Sequence, residues 1–149
     1  MSRAPYQVLV IPYNKVENTI RYCAFERKHP MFQFVSGGGE DEETPIEAAK
    51  RECFEEARIQ SDAFTKLTSL CYIPTCIFSE NQRRAWGEEV FAIPEYAFGV
   101  ELKSTDIIIS EEHIGYKWGT YEEAVSLLEW DSNKTALYEL DCRIKSNLL

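Results

Sequence analysis

The sequence of 149 residues has no long apolar run and no excess of basic side chains. Its longest apolar run, near residues 8–11, is far too short to cross a bilayer, so we expect no membrane partner. Arg3 near the N-terminus is not followed by the apolar stretch of a secretory signal. These features predict a cytoplasmic protein.

Positive charge is scarce: 16 Lys and Arg residues stand against 25 Asp and Glu residues, a formal net charge of −9. A surface of this sign repels a phosphate backbone, so we expect no long nucleic acid as a partner. The same surface is compatible with a small phosphorylated substrate if a divalent cation lies between protein and phosphate.

Histidine is also scarce, since His29 and His113 are the only two, and the five cysteines include no CxxC pair. A zinc site needs Cys and His ligands at closer spacing. We interpret all five cysteines as reduced, with Cys71 and Cys76 in an apolar stretch typical of buried thiols. The other three are Cys23, Cys53 and Cys142.

Apolar residues make up 44% of the chain, enough for one core in a single domain over residues 1–149. Runs of β-branched and aromatic residues predict strands. The predicted strands are "YQVLVIPYN" and residues 19–27, 32–36, 67–78, 88–94, 96–102 and 114–120, with a hairpin turn at 16–19. Helices are predicted at 45–57, 121–128 and 133–146, and the polar residues 79–87 are predicted to form a loop. This order indicates an α/β (α+β) domain with a mixed sheet.

The first predicted helix has clear start signals. Thr44 suits the N-cap, Pro45 the first helical position, and Glu47 completes a capping box. Four residues spaced three and four apart then form one apolar stripe: Ile46, Ala49, Cys53 and Ala57.

Three glutamates lie beside this stripe. At about 100° per residue, Glu52, Glu55 and Glu56 fall within a fan of about 100° on the helix. A solvated face would normally mix charges of both signs, and this face does not. The glycines at 37–39 precede the helix, where bare backbone can approach a ligand. Spacing alone leaves two interpretations open, a solvated helix face or a site for a hard cation such as Mg²⁺.

The segment "GGGEDEETPIEAAKRECFEEARI" resembles the Nudix box, G-x5-E-x7-R-E-U-x-E-E-x-G-U, in which U is apolar. Eight of the nine defined positions are filled, and only the second glycine is replaced, by Arg58. The resemblance implies a mixed sheet between helices with a loop–helix–loop motif. It also implies hydrolysis of a diphosphate linked to another group.

Carried over by position, the resemblance makes Glu52, Glu55 and Glu56 ligands of Mg²⁺, with Mn²⁺ as a possible substitute. A backbone carbonyl at Ser36 or Gly37 would add a ligand. Arg51 would orient the glutamates by pairing with Glu43 or Glu52.

Further site residues follow from the same resemblance. Gly38 and Gly39 would lie beside the substrate, and Arg27, at a position often basic in the family, would contact phosphate. Arg58 stands where a helix-ending glycine is usual, so we expect it either to adopt a left-handed conformation or to shift the helix end.

The segments "EEHIGYKW" and "LLEWDSNKTALYEL" resemble the bacterial dATP pyrophosphohydrolase branch, which includes dihydroneopterin triphosphate pyrophosphatases. This implies that a nucleoside or pterin triphosphate is cut to a monophosphate and pyrophosphate by a monomer or homodimer. Glu112 would be the additional acid outside the box, and His113 a structural hydrogen-bonding residue.

Two alternatives remain open. One is a Nudix hydrolase for another diphosphate, such as ADP-ribose, a dinucleoside polyphosphate or a capped RNA end. The other is a sensor that binds a nucleotide without cleaving it, although such proteins usually lack box glutamates that are intact here.

Overall fold

The computed structural model describes residues 2–28 and 31–149, so His29 lies outside the described residues. Within these ranges a seven-stranded mixed sheet has helices on both faces. The strands are β1 (Arg3–Val16), β2 (Thr19–Arg27), β3 (Met31–Gln33), β4 (Val35–Glu40), β5 (Phe64–Pro74), β6 (Ala92–Glu101) and β7 (His113–Gly119). The helices are α1 (Pro45–Ala57), α2 (Glu80–Trp86), α3 (Tyr121–Leu127) and α4 (Asp131–Lys145), with a 3₁₀ turn at Thr75–Ile77. The predicted fold class is confirmed.

Strand β1 lies at the centre of the sheet. The sheet order is β3-β2-β1-β6-β5, and β1 pairs in parallel with β6 and antiparallel with both β2 and β4. The partner changes along β1, because β4 lies beside its first part and β2 beside its last part. Strand β7 extends the sheet by pairing with β2.

The apolar run in β1 is buried on both faces, as expected for a central strand covered on two sides. Val8 and Val10 face α1, where they pack with Ala49 and Cys53. The alternate residues of β1 face α3 and α4. That second cluster includes Leu9, Ile11, Tyr13, Phe34, Leu137 and Leu140.

Several predicted boundaries need correction. Residues 79–87 are not a loop throughout, because α2 forms there with the Ser79 side chain accepting from Gln82 N–H. The strands predicted at 88–94 and 96–102 form one strand, β6, which begins only at Ala92 and continues through Pro94, paired with Tyr72. β5 ends at Pro74, and α4 begins at Asp131, two residues earlier than predicted.

Two predictions about side-chain burial are also wrong. Ile46, predicted to belong to the apolar stripe of α1, is exposed, whereas Ala48, outside that stripe, is buried. Cys76 is exposed because it lies in the 3₁₀ turn rather than in a strand. All five cysteines are free, as expected.

Candidate active site

Helix α1 begins as its sequence predicts. The Thr44 side chain accepts from Glu47 N–H, and the Glu47 carboxylate in turn accepts from Thr44 N–H at 2.9 Å. The helix ends in the usual left-handed conformation, at φ 56° and ψ 30°, but an arginine, Arg58, adopts it in place of a glycine. Arg58 thus accepts the strain of the missing glycine rather than shifting the helix end. Its guanidinium lies 4.9 Å from the centre of the Phe54 ring.

Three of the glutamates of α1, Glu52, Glu55 and Glu56, differ in their environments. Glu56 is 2% exposed, the Glu52 side chain is 14% exposed, and the Glu55 side chain is 52% exposed. Burial of two like charges is costly unless they are paired or coordinated. This gradient argues against a solvated helix face at Glu52 and Glu56.

Arg51 holds the glutamate face from one side. Its Nε and Nη2 donate to Glu43 at 2.8 and 3.0 Å, which is a bidentate pair. Its Nη1 donates to Glu52 at 3.0 Å and to Glu55 at 2.9 Å. Both partners that the sequence suggested for Arg51, Glu43 and Glu52, are therefore used. Nη2 also donates to the Gly38 carbonyl at 2.8 Å, which ties α1 to β4.

The glycines lie in strand β4 rather than in a turn, and each lacks a side chain where a neighbour comes close. A Cβ added at Gly37 would lie 2.1 Å from the Glu52 carboxyl carbon. Gly38 leaves room for the guanidinium of Arg3, and Gly39 for the ring of Tyr6. Packing within the protein therefore explains all three glycines, and Gly37 brings bare backbone directly against Glu52.

The loop before β7 closes the site from the other side. Ser110 N–H donates to the Glu56 carbonyl at 3.0 Å, which docks the loop on the end of α1. His113 Nε2 lies 2.7 Å from Glu56 Oε1, and both side chains are buried. His113 is thus a hydrogen-bonding partner of Glu56; the resemblance implied a hydrogen-bonding role for His113 without naming this partner. Ligand atoms of Glu56, Glu112 and His113 all lie within 4.8 Å of one another.

A cleft of about 310 Å³ lies between α1 and the loop before β7. It is lined by Glu52, Glu55, Glu56, Ser110, Glu111 and Glu112. A neighbouring cleft of about 410 Å³ is lined by Arg27, Glu112 and three further residues. The structure therefore brings Arg27 and Glu112 to the same region as the glutamate face, although neither belongs to the box.

The pKa values of Glu52 and Glu56 are raised, so their ionised forms would be stabilised by a nearby positive charge. Burial, followed by the neighbouring Glu56 carboxyl, raises the pKa of Glu52 to about 8. Burial also raises the pKa of Glu56 to about 7. Desolvation and Arg27 lower the pKa of His113, so this ring does not supply the missing charge. A cation bound between the carboxylates would relieve both effects.

The residues present fit a hard divalent cation. Glu56 Oε2 is buried and has no hydrogen-bond partner among the described residues. A buried oxygen of this kind usually has a partner. The neighbouring potential metal ligands are carboxylate oxygens, which Mg²⁺ and Mn²⁺ prefer. Bare backbone at Gly37 faces the same carboxylates.

Sequence reasoning missed two features of the site. Ser110 positions the loop through its backbone, and no local signal marks it. Arg3 lies against Gly38, and its Nη2 donates to Gln7 at 2.8 Å. Only the pairing of β1 with β4 brings Arg3 there.

Comparison with known proteins gives the family. The NUDIX domain pattern matches residues 6–140. The chain belongs to the Nudix family. This Nudix protein is 43% identical to a protein from Listeria monocytogenes classed as a NUDIX hydrolase, and its fold superposes with a TM-score of 0.86 over 97% of each chain.

Two curated relatives of this Nudix chain share one described activity. It is 29% identical over 139 residues to a dihydroneopterin triphosphate diphosphatase of Escherichia coli, covering 91% of each chain. It is 27% identical over 133 residues to an enzyme of the same description from Haemophilus influenzae, covering 87% of this chain and 83% of the relative. With its box glutamates intact, the chain is a Nudix hydrolase. No helix within the described residues is long and apolar enough to cross a membrane.

Proposed function

We propose that this Nudix hydrolase cleaves a pterin or nucleoside triphosphate to a monophosphate and pyrophosphate, with Mg²⁺ or Mn²⁺ at the glutamate face. The observation that carries the proposal is the cleft in which Glu52, Glu55 and Glu56 meet Glu112. The two relatives described as dihydroneopterin triphosphate diphosphatases support the substrate class. We also propose that residues 1–149 act as one domain.

In this proposal Glu52, Glu55, Glu56 and Glu112 hold the cation, with a backbone carbonyl of Gly37 as a further ligand. The cation would neutralise the diphosphate oxygens and lower the pKa of a water molecule. The protein's own contribution is to keep these oxygens converging before the substrate arrives. His113 fixes Oε1 of Glu56 at 2.7 Å and leaves the buried Oε2, which has no hydrogen-bond partner among the described residues, available to the cation.

Arg51 is a positioning residue in this scheme. Its bonds to Glu43, Glu52 and Glu55 hold two metal-binding carboxylates in one orientation. The bond to the Gly38 carbonyl keeps β4 at a constant distance from α1. Arg51 thus acts through the glutamates rather than on the substrate.

Proton removal from the attacking water requires a carboxylate with solvent access near the buried glutamates. Glu112 meets this requirement because it is exposed and its carboxylate lies within 4.8 Å of the Glu56 carboxylate. Arg27 lines the adjoining cleft with Glu112, where its charge would attract the phosphates of the substrate. Gly38 and Gly39 are proposed to contact the substrate only through their backbone, because the guanidinium of Arg3 and the ring of Tyr6 fill the space that side chains at these positions would occupy.

A substrate panel tests the proposal. The protein is incubated with Mg²⁺ or Mn²⁺ and with dihydroneopterin triphosphate, dGTP, dATP, ADP-ribose or a dinucleoside polyphosphate, and products are separated by chromatography. We expect pyrophosphate and a monophosphate from a triphosphate. Turnover of ADP-ribose or a dinucleoside polyphosphate alone would replace the substrate class. Binding of a nucleotide without any product would favour a sensor.

A further inference from the structure

Strand β5 forms one edge of the sheet, and the first half of this edge is protected against other strands. Among the described strands, β5 pairs only with β6. A β-bulge interrupts the pairing between Lys66 and Leu70. At the bulge the Glu139 carboxylate of α4 accepts hydrogen bonds from Thr68 N–H and Ser69 N–H, both at 2.7 Å. Bulges and cover from a neighbouring element are common ways of keeping an edge from pairing, so this half is closed to a further strand.

The second half of β5 has backbone groups that face outward. Directly after β5, Thr75 N–H donates to the Phe91 carbonyl at 2.9 Å, which marks a hydrogen-bonded position of the ladder with β6. Hydrogen-bonded and non-hydrogen-bonded pairs alternate in an antiparallel ladder, so the N–H and C=O groups of Leu70 and Tyr72 point away from β6. Pro94, which lies opposite Tyr72, agrees with this assignment because it has no N–H to donate.

The side chains at these two positions are apolar and exposed. Leu70 is 51% exposed and Tyr72 is 61% exposed. They extend the α1 face of the sheet, since Leu70 lies opposite Tyr96, which packs against the core cluster under α1. An open edge with exposed apolar side chains is a template for pairing with another chain. Strand β7, another edge strand, carries Lys117 near its centre, and a lysine on an edge opposes such pairing.

We propose that β5 pairs antiparallel with β5 of a second copy of this chain, with the two-fold axis of the dimer beside Cys71. In this register Leu70 of each copy lies opposite Tyr72 of the other, and their outward N–H and C=O groups form four hydrogen bonds. The ladder cannot extend further, because Pro74 has no N–H and Thr68 N–H is already bonded. The pairing does not depend on the proposed hydrolysis.

A second copy suits this edge because the open stretch is self-complementary about its own centre. The outward groups of Leu70 and Tyr72 satisfy one another, and the two exposed side chains form an apolar pair on each side of the axis. No charged residue lies between Leu70 and Pro74, so the net charge of −9 on each copy acts only from a distance. The contact is smaller than the roughly 800 Å² per partner of a standard interface, so we expect dissociation at micromolar concentrations.

The dimer leaves the glutamate face open. Strand β6 separates β5 from β1, whereas the cleft of the glutamates is lined by α1 and by the loop before β7. Strand β7 pairs with β2, on the other side of β1. Variants at the β5 edge should therefore change association without changing the turnover of each protomer.

Sedimentation velocity tests the inference at protein concentrations from about 2 to about 400 μM, a range that brackets a micromolar dissociation constant. We expect the wild-type protein to shift from monomer to dimer across this range. Tyr72→Lys places a charge in the apolar pair and should weaken dimerisation at least tenfold. Tyr138→Lys on α4 is the matched control, because Tyr138 is also 61% exposed and the change in net charge is the same. It should dimerise as the wild type does.

Oxidation tests the strand register. The Cys71 side chain lies on the α4 face beside Glu95, and its thiol is free. Two Cys71 residues opposite each other in a non-hydrogen-bonded pair have Cα atoms about 4.5 Å apart, within the range of a disulfide. The protein is treated with copper phenanthroline and oxygen and run on a non-reducing gel. A covalent dimer should form in the wild type and in the variants of the exposed cysteines, Cys76→Ser and Cys142→Ser, but not in Cys71→Ser.

Three results would overturn the inference. The first is a wild-type protein that stays monomeric at the highest concentration, which would leave the edge to a strand of a different protein. The second is equal dimerisation of Tyr72→Lys and the wild type. The third is a dimer that Cys71 does not cross-link, which would exclude the proposed register. If Tyr72→Lys does not fold, the sedimentation of the wild type and the Cys71 cross-link still decide.

Discussion

Arg51 Nε lies 2.8 Å from Glu43 Oε2, and this pair joins the segment before α1 to the glutamate face of the helix. The two residues are eight positions apart, and Glu43 precedes the N-cap Thr44. The remaining N–H groups of Arg51 donate hydrogen bonds to Glu52, Glu55 and the Gly38 carbonyl. One guanidinium thus sets the relative positions of a turn, a strand and two proposed metal ligands.

Replacing Arg51 by Lys tests this arrangement. Lysine keeps the charge but cannot reproduce the bidentate bond to Glu43, so the carboxylates lose their common orientation. We expect kcat/KM to fall by at least about tenfold and the Mg²⁺ concentration for half-maximal activity to rise. Activity is measured across a Mg²⁺ titration. Lys50→Arg is the control on the exposed side of α1, and equal behaviour of both variants would contradict the role of Arg51.

Glu56→Gln should lower turnover by at least about a hundredfold, as is typical when a key catalytic group is lost. Glutamine preserves the shape at this buried position and can still bond to His113, so the fold should persist. Steady-state kinetics and the melting temperature are measured together. The control is Glu42→Gln, an exposed residue before the helix. Near-normal turnover in Glu56→Gln would remove Glu56 from the metal site.

Glu112→Gln separates proton removal from cation binding. If Glu112 takes the proton from water, kcat should fall by about a hundredfold, and the low-pH side of the kcat profile should change shape. The profile is recorded from pH 5 to pH 9 at saturating Mg²⁺, with Glu122→Gln on α3 as control. A loss that disappears at high Mg²⁺ would instead make Glu112 a ligand only.

Stability of the metal-free protein should depend on pH through the buried glutamates. The pKa values of Glu52 and Glu56, about 8 and about 7, lie above the ordinary value of 4.5. The folded state therefore binds more protons than the unfolded state between about pH 4.5 and 8, and stability falls as pH rises through this window. His113, with its lowered pKa, acts in the opposite direction.

Comparison with Glu52→Gln isolates the carboxyl contribution from that of His113. Melting temperatures are measured at pH 5.5 and pH 8 in EDTA and in Mg²⁺. The wild-type protein should lose more stability between these pH values than Glu52→Gln does, and Mg²⁺ should stabilise the wild type most at pH 8. Parallel curves for the two proteins in EDTA would contradict the prediction.

Arg58→Gly should stabilise the protein, because glycine adopts the left-handed conformation without the strain of about 1 kcal/mol. The gain is reduced by the loss of the Arg58 contact with Phe54. Arg58→Ala keeps the strain and loses the contact, so it should be less stable than both. Urea unfolding of the three proteins checks this order. A glycine variant less stable than the alanine variant would contradict it.

Local sequence signals predicted α1 well and α2 not at all. The Thr44 capping box and Pro45 define the start of α1 through contacts within one turn. Helix α2 has a Ser79 cap, but its seven residues carry no buried side chain. Its position depends on Trp86 Nε1, which donates to the Arg3 carbonyl at 2.8 Å across 83 positions of the chain. No local pattern reports such a contact.

The sequence by itself determined the glutamate face, because a 3.6-residue period places Glu52, Glu55 and Glu56 together whatever the rest of the chain does. The tertiary structure alone decided what faces them. Sheet pairing brings the glycine strand beside β1 and so places Arg3 against Gly38, and the docked loop brings Glu112 to Glu56. It likewise buries Glu95 in a cavity that four separate elements form. These meetings depend on long-range packing and strand register, which short-range periodicity does not specify.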